Sequence, residues 1–526
     1  MTMTQRQPIP VTILSGFLGS GKTTLLERIL TENHGLKIAV IINDMSQVNV
    51  DAALVQQHKV SNQEEKLIQL QNGCICCTLR GDLLEELLGL SEQGAFDYIV
   101  IESTGIAEPM QVAETFSTDF SQALLDTPGG IPENEELLLK RVVELGGLEK
   151  VAKIDTCVTV VDAANFLSNI ETTEFLAQRF GESGQNESER TVTNLMVDQI
   201  EFADVIIINK VSRVKKNDLL KIGKMISSLN PVAKILRSDY CKVPIKEIIN
   251  TGLYDFEKAS SSAGWLQSIH EMTLREGFGD KTKSVLTPKP ETEEYGVNSF
   301  VYNSRRPFHP ERLYYLLKDK FFIIEETPTA EEETDNEEGE QEDEEETANE
   351  KDEQGDEEED QDGEEDEVSE EELLKNKKSS PFGPLLRSKG FFWLATRHIM
   401  RGEWSSAGLM LTLKGGIPWF DVSGLEGIPE DTAEIIRQEF EEPHGDRRNE
   451  IVFIGLGIDK EALAKTLDSC LLTDKEYEKF MKIISQEKNL LKVERKLANT
   501  FDDGFEDWIL IDDDDVEEEE EEEEEE

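Results

Sequence analysis

The chain has 526 residues, enough for two to four domains and a full enzyme core. Its 111 acidic residues against 54 basic ones set a formal charge of -57, but most of the excess sits in residues 331–372, with 28 Asp and Glu against Lys351 alone, and in residues 502–526, with 18 acids and no base. Such polyanionic tracts exclude a general nucleic-acid binder, and with no apolar run near the roughly 20 residues of a membrane span and no leader-like composition in residues 1–10, the expectation is a cytoplasmic protein with no membrane and no nucleic-acid partner.

The first expected strand covers residues 11–14 and runs into Gly16-Phe17-Leu18-Gly19-Ser20-Gly21-Lys22-Thr23, which fits G-x-x-x-x-G-K-[ST] at every fixed position. The glycines let consecutive backbone N–H groups turn inward onto phosphate oxygens, and the helix expected over residues 22–30 adds the positive end of its dipole. Lys22 would reach the β- and γ-phosphates, Thr23 would bind Mg²⁺, and the alternative of a ligand-free glycine turn is much the weaker reading.

After a strand at residues 37–42 and an apolar run at residues 67–70 comes Gly73-Cys74-Ile75-Cys76-Cys77. Six cysteines in all, three of them within four residues, are no disulfide framework and point to a reducing compartment. Three thiolates converging in a strand-to-helix turn suit tetrahedral Zn²⁺, and sulfur also suits Cu(I). A redox pair or buried apolar cysteines are the less favoured alternatives. With only three protein thiolates, one coordination position stays exchangeable, which suits passing an ion on.

The strand at residues 98–101 ends in Glu102, the carboxylate expected on the Mg²⁺ side, and leads to Gly105, whose N–H could sense a γ-phosphate. Strands follow at residues 157–161 and 205–208, the last ending in Asn209-Lys210, like the N-K-x-D base reader of GTPases. That reader needs a carboxylate for guanine N1–H and N2–H₂, and here Ser212 stands in its place. Apolar strands alternating with helices describe an α/β fold, a P-loop NTPase parallel sheet with helices on both faces, ending near residue 250.

Residues 281–294 read as a linker, with 251–294 as the connecting segment. Apolar runs at 299–302, 313–317, 390–395, 407–413 and 451–455 suggest a second, smaller α+β domain over 295–475. The acidic tract interrupts it as an unstructured loop at about 328–380, since its composition buries too little apolar surface to offset ordering entropy. Residues 476–526 read as a helix and an acidic tail. His309, His398 and His444 are weighed as auxiliary metal ligands, with ordinary hydrogen-bonding histidines favoured.

Together, GFLGSGKTTLL, INDMSQVNVDAAL, NGCICCTLRGDLL, IESTGIAEPMQVAETF, VTVVDAANFL, DQIEFADVIIINK, SFVYNSRRPFHPERL, LRSKGFFWLATR and GDRRNEIVFIGLG resemble the CobW-like metallochaperone GTPases over most of residues 9–475. The resemblance implies a nucleotide domain followed by a CobW C-terminal domain, and a GTPase that carries zinc, or cobalt, to apo metalloprotein clients. It implies Gly16, Gly19, Ser20, Gly21, Lys22, Thr23 and Thr24 as the phosphate loop, Asn209 and Lys210 at the base, and Lys22, Thr23 and Glu102 as the catalytic set. Cys74, Cys76 and Cys77 would be the metal site. A cobalt- or nickel-insertion GTPase and a regulatory nucleotide switch without metal transfer remain as alternatives. Gln47 stands where many relatives carry Glu, and the Cys-Pro-Glu-Leu-Val-Pro type of docking motif is absent from residues 1–10, so a methionine aminopeptidase client is not expected.

Overall fold

The computed structural model describes residues 7–43, 66–70, 80–103, 105, 107, 109–116, 133–180, 191–255, 297–326, 369–426 and 430–508. Seven strands, β1 (Ile9–Ser15), β2 (Ile38–Asn43), β3 (Lys66–Leu70), β4 (Tyr98–Glu102), β5 (Ala152–Asp162), β6 (Val205–Asn209) and β7 (Lys234–Arg237), form one sheet in the order β3-β2-β4-β1-β5-β6-β7. Every pairing is parallel.

Side-chain alternation explains why both faces are covered. Val11, Ile13, Ile99 and Ile101 point into one core with Leu83, Leu87 and Leu90 of helix α2 (Arg80–Gln93). Leu14, Tyr98, Val100 and Ile207 point into the other, against Leu25, Leu26 and Ile29 of helix α1 (Lys22–Thr31). Each such Leu or Ile contributes about 1.5–3 kcal/mol of burial, and burial on both faces is why these strands are apolar at successive positions.

The second sheet has six strands: β8 (Val297–Ser304), β9 (Phe322–Glu326), β10 (Leu385–Phe392), β11 (Met400–Ala407), β12 (Met410–Pro418) and β13 (Asn449–Leu456), in the order β8-β13-β10-β11-β12-β9. It is antiparallel except for the β9–β12 pair. Phe308, Trp404, Phe453 and Leu463 build its core, so the expectation of a smaller mixed domain holds in kind.

Parts of the acidic loop and of the acidic tail, both expected to be unstructured, are ordered. Residues 370–378 form a helix, capped by the Ser369 hydroxyl accepting from the Glu372 amide, with acids in its first turn, lysines in its last and Leu373 and Lys377 buried on one face. Capping and the macrodipole turn an acidic composition to helix there. After residue 475 the expected helical chain is present, burying Phe480, Val493 and Leu497, and packing runs on into the acidic tail, where Phe501, Phe505 and Trp508 are buried and Asp503 pairs with Arg397 at 2.7 Å. The aromatic spacing, hidden among the acids of the tail, decides it.

The two sheets meet at helix α3 (Val192–Glu201). Leu386 and Ala407 enter the same apolar cluster as Val161, Met196 and Ile200. Beside them the Arg387 Nε donates to Glu201 Oε1 at 3.1 Å, with side chains only 4% and 7% exposed.

Candidate nucleotide-binding site

In a parallel sheet all strand ends of one kind share an edge, and ligands bind outside the carboxyl ends. β1, β4, β5 and β6 finish there side by side: Leu14 is level with Glu102 and with Val158, and Asp162 with Asn209. The carboxylate, the glycine loop and the Asn-Lys pair, far apart in sequence, are thereby delivered to one edge.

The loop itself is shaped by positive φ. Gly16 (φ 134°) passes so close to β5 that a Cβ would lie 2.3 Å from the Val160 carbonyl oxygen, and at Gly21 (φ 114°) a Cβ would lie 2.5 Å from Asn209 Nδ2. Only glycine fits either position. Gly21 is also the N-cap of α1, so the first amides of that helix face the concavity. Lys22, mostly buried, folds back to donate from Nζ to the Gly16 carbonyl at 2.8 Å. Ser20 Oγ is buried beside Gly16 and has no hydrogen-bond partner among the described residues. Thr23 and Thr24 occupy the first turn of α1, half-buried.

The Asn-Lys pair clamps this loop from the far side. Asn209 Nδ2 donates to the Ser20 carbonyl at 2.9 Å, and Asn209 Oδ1 accepts from the Cys241 amide at 3.0 Å. Lys210, in left-handed backbone (φ 59°), donates from Nζ to the Gly19 carbonyl at 2.7 Å and to Asp162 Oδ2 at 2.8 Å. The Cys241 thiol points at the Gly21 carbonyl, 3.3 Å away, and burial pushes its pKa up to about 12. It is therefore a packed, protonated thiol and no nucleophile.

Glu102 ends β4, 3% exposed. Gly105, three residues on, abuts the phosphate loop so closely that a Cβ would be 2.9 Å from the Leu18 amide nitrogen. Gln199 Nε2 reaches from α3 to donate to the carbonyls of Gly105 (3.3 Å) and Ala107 (3.2 Å). A cleft of about 270 Å³ opens beside these groups, lined by Phe17, Leu18, Asp162, Arg179 and Gln199 among others.

Gly16, Gly19, Ser20, Gly21, Lys22, Thr23, Thr24, Glu102, Asn209 and Lys210 thus gather at one edge. Cys74, Cys76 and Cys77 lie outside the described residues, as does Gln47. Leu70, which ends β3 before the cysteines, finishes on the same carboxyl edge, three strand positions or about 14 Å from β1. Among the described residues no group of three or more His, Cys, Asp or Glu side chains is arranged to hold a metal. The histidines are packed in aromatic surroundings: His444 Nε2 is 2.5 Å from the Tyr477 hydroxyl, His398 lies against Trp393 and Phe480, and His309 against Phe501. Burial lowers the pKa of all three, that of His444 to about 4.

Sequence reasoning missed Asp162 and Gln199. Asp162 carries the same sign that singled out Glu102, a carboxylate closing an apolar strand. Gln199 carries none, because its role comes from helix packing.

A glycine phosphate loop on the central strand of a parallel sheet, clamped by an Asn-Lys pair from the strand two positions away, defines a P-loop nucleotide-binding protein. The nucleotide-binding domain of CobW/HypB/UreG matches residues 10–128 and 128–237, and the cobalamin synthesis protein cobW C-terminal domain matches residues 364–471. Zinc-regulated GTPase metalloprotein activator 1 of Dictyostelium discoideum is 36% identical over 480 residues, covering 89% of this chain and 81% of that protein. The protein of the same name from Schizosaccharomyces pombe is 31% identical over 270 residues, 51% of this chain and 55% of the relative. Zinc chaperone YjiA of Escherichia coli is 46% identical over 114 residues, 21% of this chain and 34% of the relative. The chain belongs to the CobW family, with a CobW/HypB/UreG nucleotide-binding domain and a CobW C-terminal domain.

Proposed function

We propose that this protein is a GTPase that holds Zn²⁺ at Cys74, Cys76 and Cys77 and hands it, under control of the nucleotide, to apo metalloprotein clients in the cytoplasm. The observation that carries the nucleotide half is the glycine loop clamped by Asn209 and Lys210; relatives named as zinc-regulated GTPases and zinc chaperones support the metal half.

On this reading the loop amides and the first turn of α1 receive the β-phosphate, while Lys22 exchanges its bond to the Gly16 carbonyl for phosphate oxygens. The Thr23 hydroxyl would hold Mg²⁺, with Glu102 on the outer side of the site, and the ion when bound would supply neutralisation of phosphate charge. Gly105, packed on Leu18, registers whether a γ-phosphate is present, and Gln199 holds its carbonyl from behind. The zinc ion is cargo. Its release is driven only if the cysteine turn binds it with different affinity in the two nucleotide states, since a ligand indifferent to state shifts nothing.

The test is Zn²⁺ affinity of the full chain with a non-hydrolysable GTP analogue and with GDP. A difference of about tenfold or more supports coupling, and equal values overturn it. Replacing all three cysteines by Ser should remove the tight Zn²⁺ site and leave GTP binding intact, whereas Lys22→Ala should do the reverse.

A further inference from the structure

The N-K-x-D element lacks its carboxylate, because Ser212 occupies the fourth position. β6 and β7 are paired, with Ile208 level with Arg237, and the two loops that follow them stay zipped: the Ser238 amide donates to the Ile208 carbonyl at 2.9 Å and the Val211 amide to the Ser238 carbonyl at 3.3 Å. This zipper sets Asp239 against position 212, where its Oδ1 accepts from the Ser212 amide at 3.0 Å. Oδ2 accepts no hydrogen bond among the described residues, and the side chain is only half-buried.

We propose that Asp239 is the guanine-reading residue of this protein: the carboxylate missing at position 212 is supplied from the neighbouring loop. The assignment rests on the nucleotide-site reading given above.

Three observations place it. Lys210 is stretched from β6 across to the Gly19 carbonyl, so its aliphatic stem spans the ground between the phosphate loop and Asp239, a shelf on which a base can lie. The Ser212 bond orients the carboxylate and leaves Oδ2 for a ligand donor. The Tyr240 amide, in left-handed backbone (φ 55°), donates to no acceptor among the described residues and stands next to Asp239. An acceptor carboxylate beside an unused backbone donor complements the N1–H, N2–H₂ and O6 edge of guanine. Adenine offers N1 as an acceptor and an exocyclic amine in place of O6, so it mismatches both groups.

Exchanging the carboxylate for an amide makes a prediction that a structural role does not. Asp239→Asn puts an NH₂ where guanine has its own donors, and the same NH₂ can donate to the 2-oxo group of xanthine. The experiment measures binding of GTP, ITP, XTP and ATP to the full chain with Mg²⁺, for the parent, D239N, D239A and the exchange variant S212D/D239S. The parent should prefer GTP over ATP and over ITP. D239N should lose GTP affinity by about 10- to 100-fold and gain XTP, D239A should lose guanine preference, and S212D/D239S should recover it.

Unchanged base ratios in D239N and D239A, or an equal loss for all four nucleotides, overturn the role of Asp239 while leaving the P-loop reading intact. If the parent binds none of the four nucleotides, the nucleotide reading itself falls and this assignment with it.

Discussion

Gln199 donates its side-chain amide to the Gly105 carbonyl at 3.3 Å, from a helix whose neighbouring residue Asp198 and next-turn partner Glu201 are both held by Arg387 of the second sheet. One ten-residue helix, α3, therefore touches the segment beside the phosphate loop with one side chain and the C-terminal domain with two others. A shift at Gly105 meets a rigid element that ends on Arg387.

That arrangement makes Gln199 a positioning residue. Gln199→Leu leaves two carbonyls without their donor in a buried site, at a cost of about 1–3 kcal/mol. GTP turnover should fall more than GTP affinity does, because the loop and Asn209 are untouched. Parallel measurement of nucleotide affinity and kcat checks this; equal losses in both would assign Gln199 to binding.

Arg387→Met should be among the most disruptive single changes outside the nucleotide site. It removes the Arg387 guanidinium from Glu201, and breaking a buried ion pair by deleting one partner costs about 3–5 kcal/mol. The double variant R387M/E201M should recover much of that loss. Urea denaturation of the single and double variants provides the comparison.

Gly16→Ala should abolish nucleotide binding while leaving the second domain folded. The new Cβ would meet the Val160 carbonyl in a backbone region that alanine avoids, so either the loop or β5 must move. Loss of GTP binding, with the unfolding transition of the C-terminal sheet retained, is the expected result.

Stability should carry a signature of Asp204. Burial raises its pKa from 3.8 to about 6; the bond from the Cys157 amide opposes that shift, and Asp155 and Asp255 add to it. The folded state thus binds a proton between pH 3.8 and 6 that the unfolded state does not, so this residue lowers stability as pH rises through that window. Asp204→Asn keeps an acceptor for the Cys157 amide and removes the charge. It should be up to about 3 kcal/mol more stable than the parent at pH 7 and no more stable below pH 4, a difference that melting curves across pH will show.

The phosphate loop was legible because its constraint is local: strand, glycines at three fixed positions, Lys, Thr, then an amphipathic helix. Glu102 and Asn209 were legible for a related reason, as polar residues closing runs of Val and Ile that belong in a buried strand. Gln199 and Arg387 were not. A glutamine inside a helix and an arginine inside a strand look like surface residues until the partner element is known, and those partners lie 94 and 186 positions away. The helix at residues 370–378 and the aromatic anchors Phe501, Phe505 and Trp508 were hidden by their acidic surroundings, since composition averages over a window while capping and packing act on single side chains.

Sequence alone determined the local parts of this chain: a glycine loop of the phosphate-cradle kind, an acid closing a buried strand beside it and a thiol-rich turn, each written in a few consecutive residues whose backbone and side-chain needs are met locally. Tertiary structure decided how those parts are joined. Parallel pairing brings β1, β4, β5 and β6 to a common edge, the β6–β7 zipper sets Asp239 opposite Ser212, and α3 ties the cradle to the second sheet. Such contacts depend on strand order and helix packing across the whole chain, and no short window of residues contains that information.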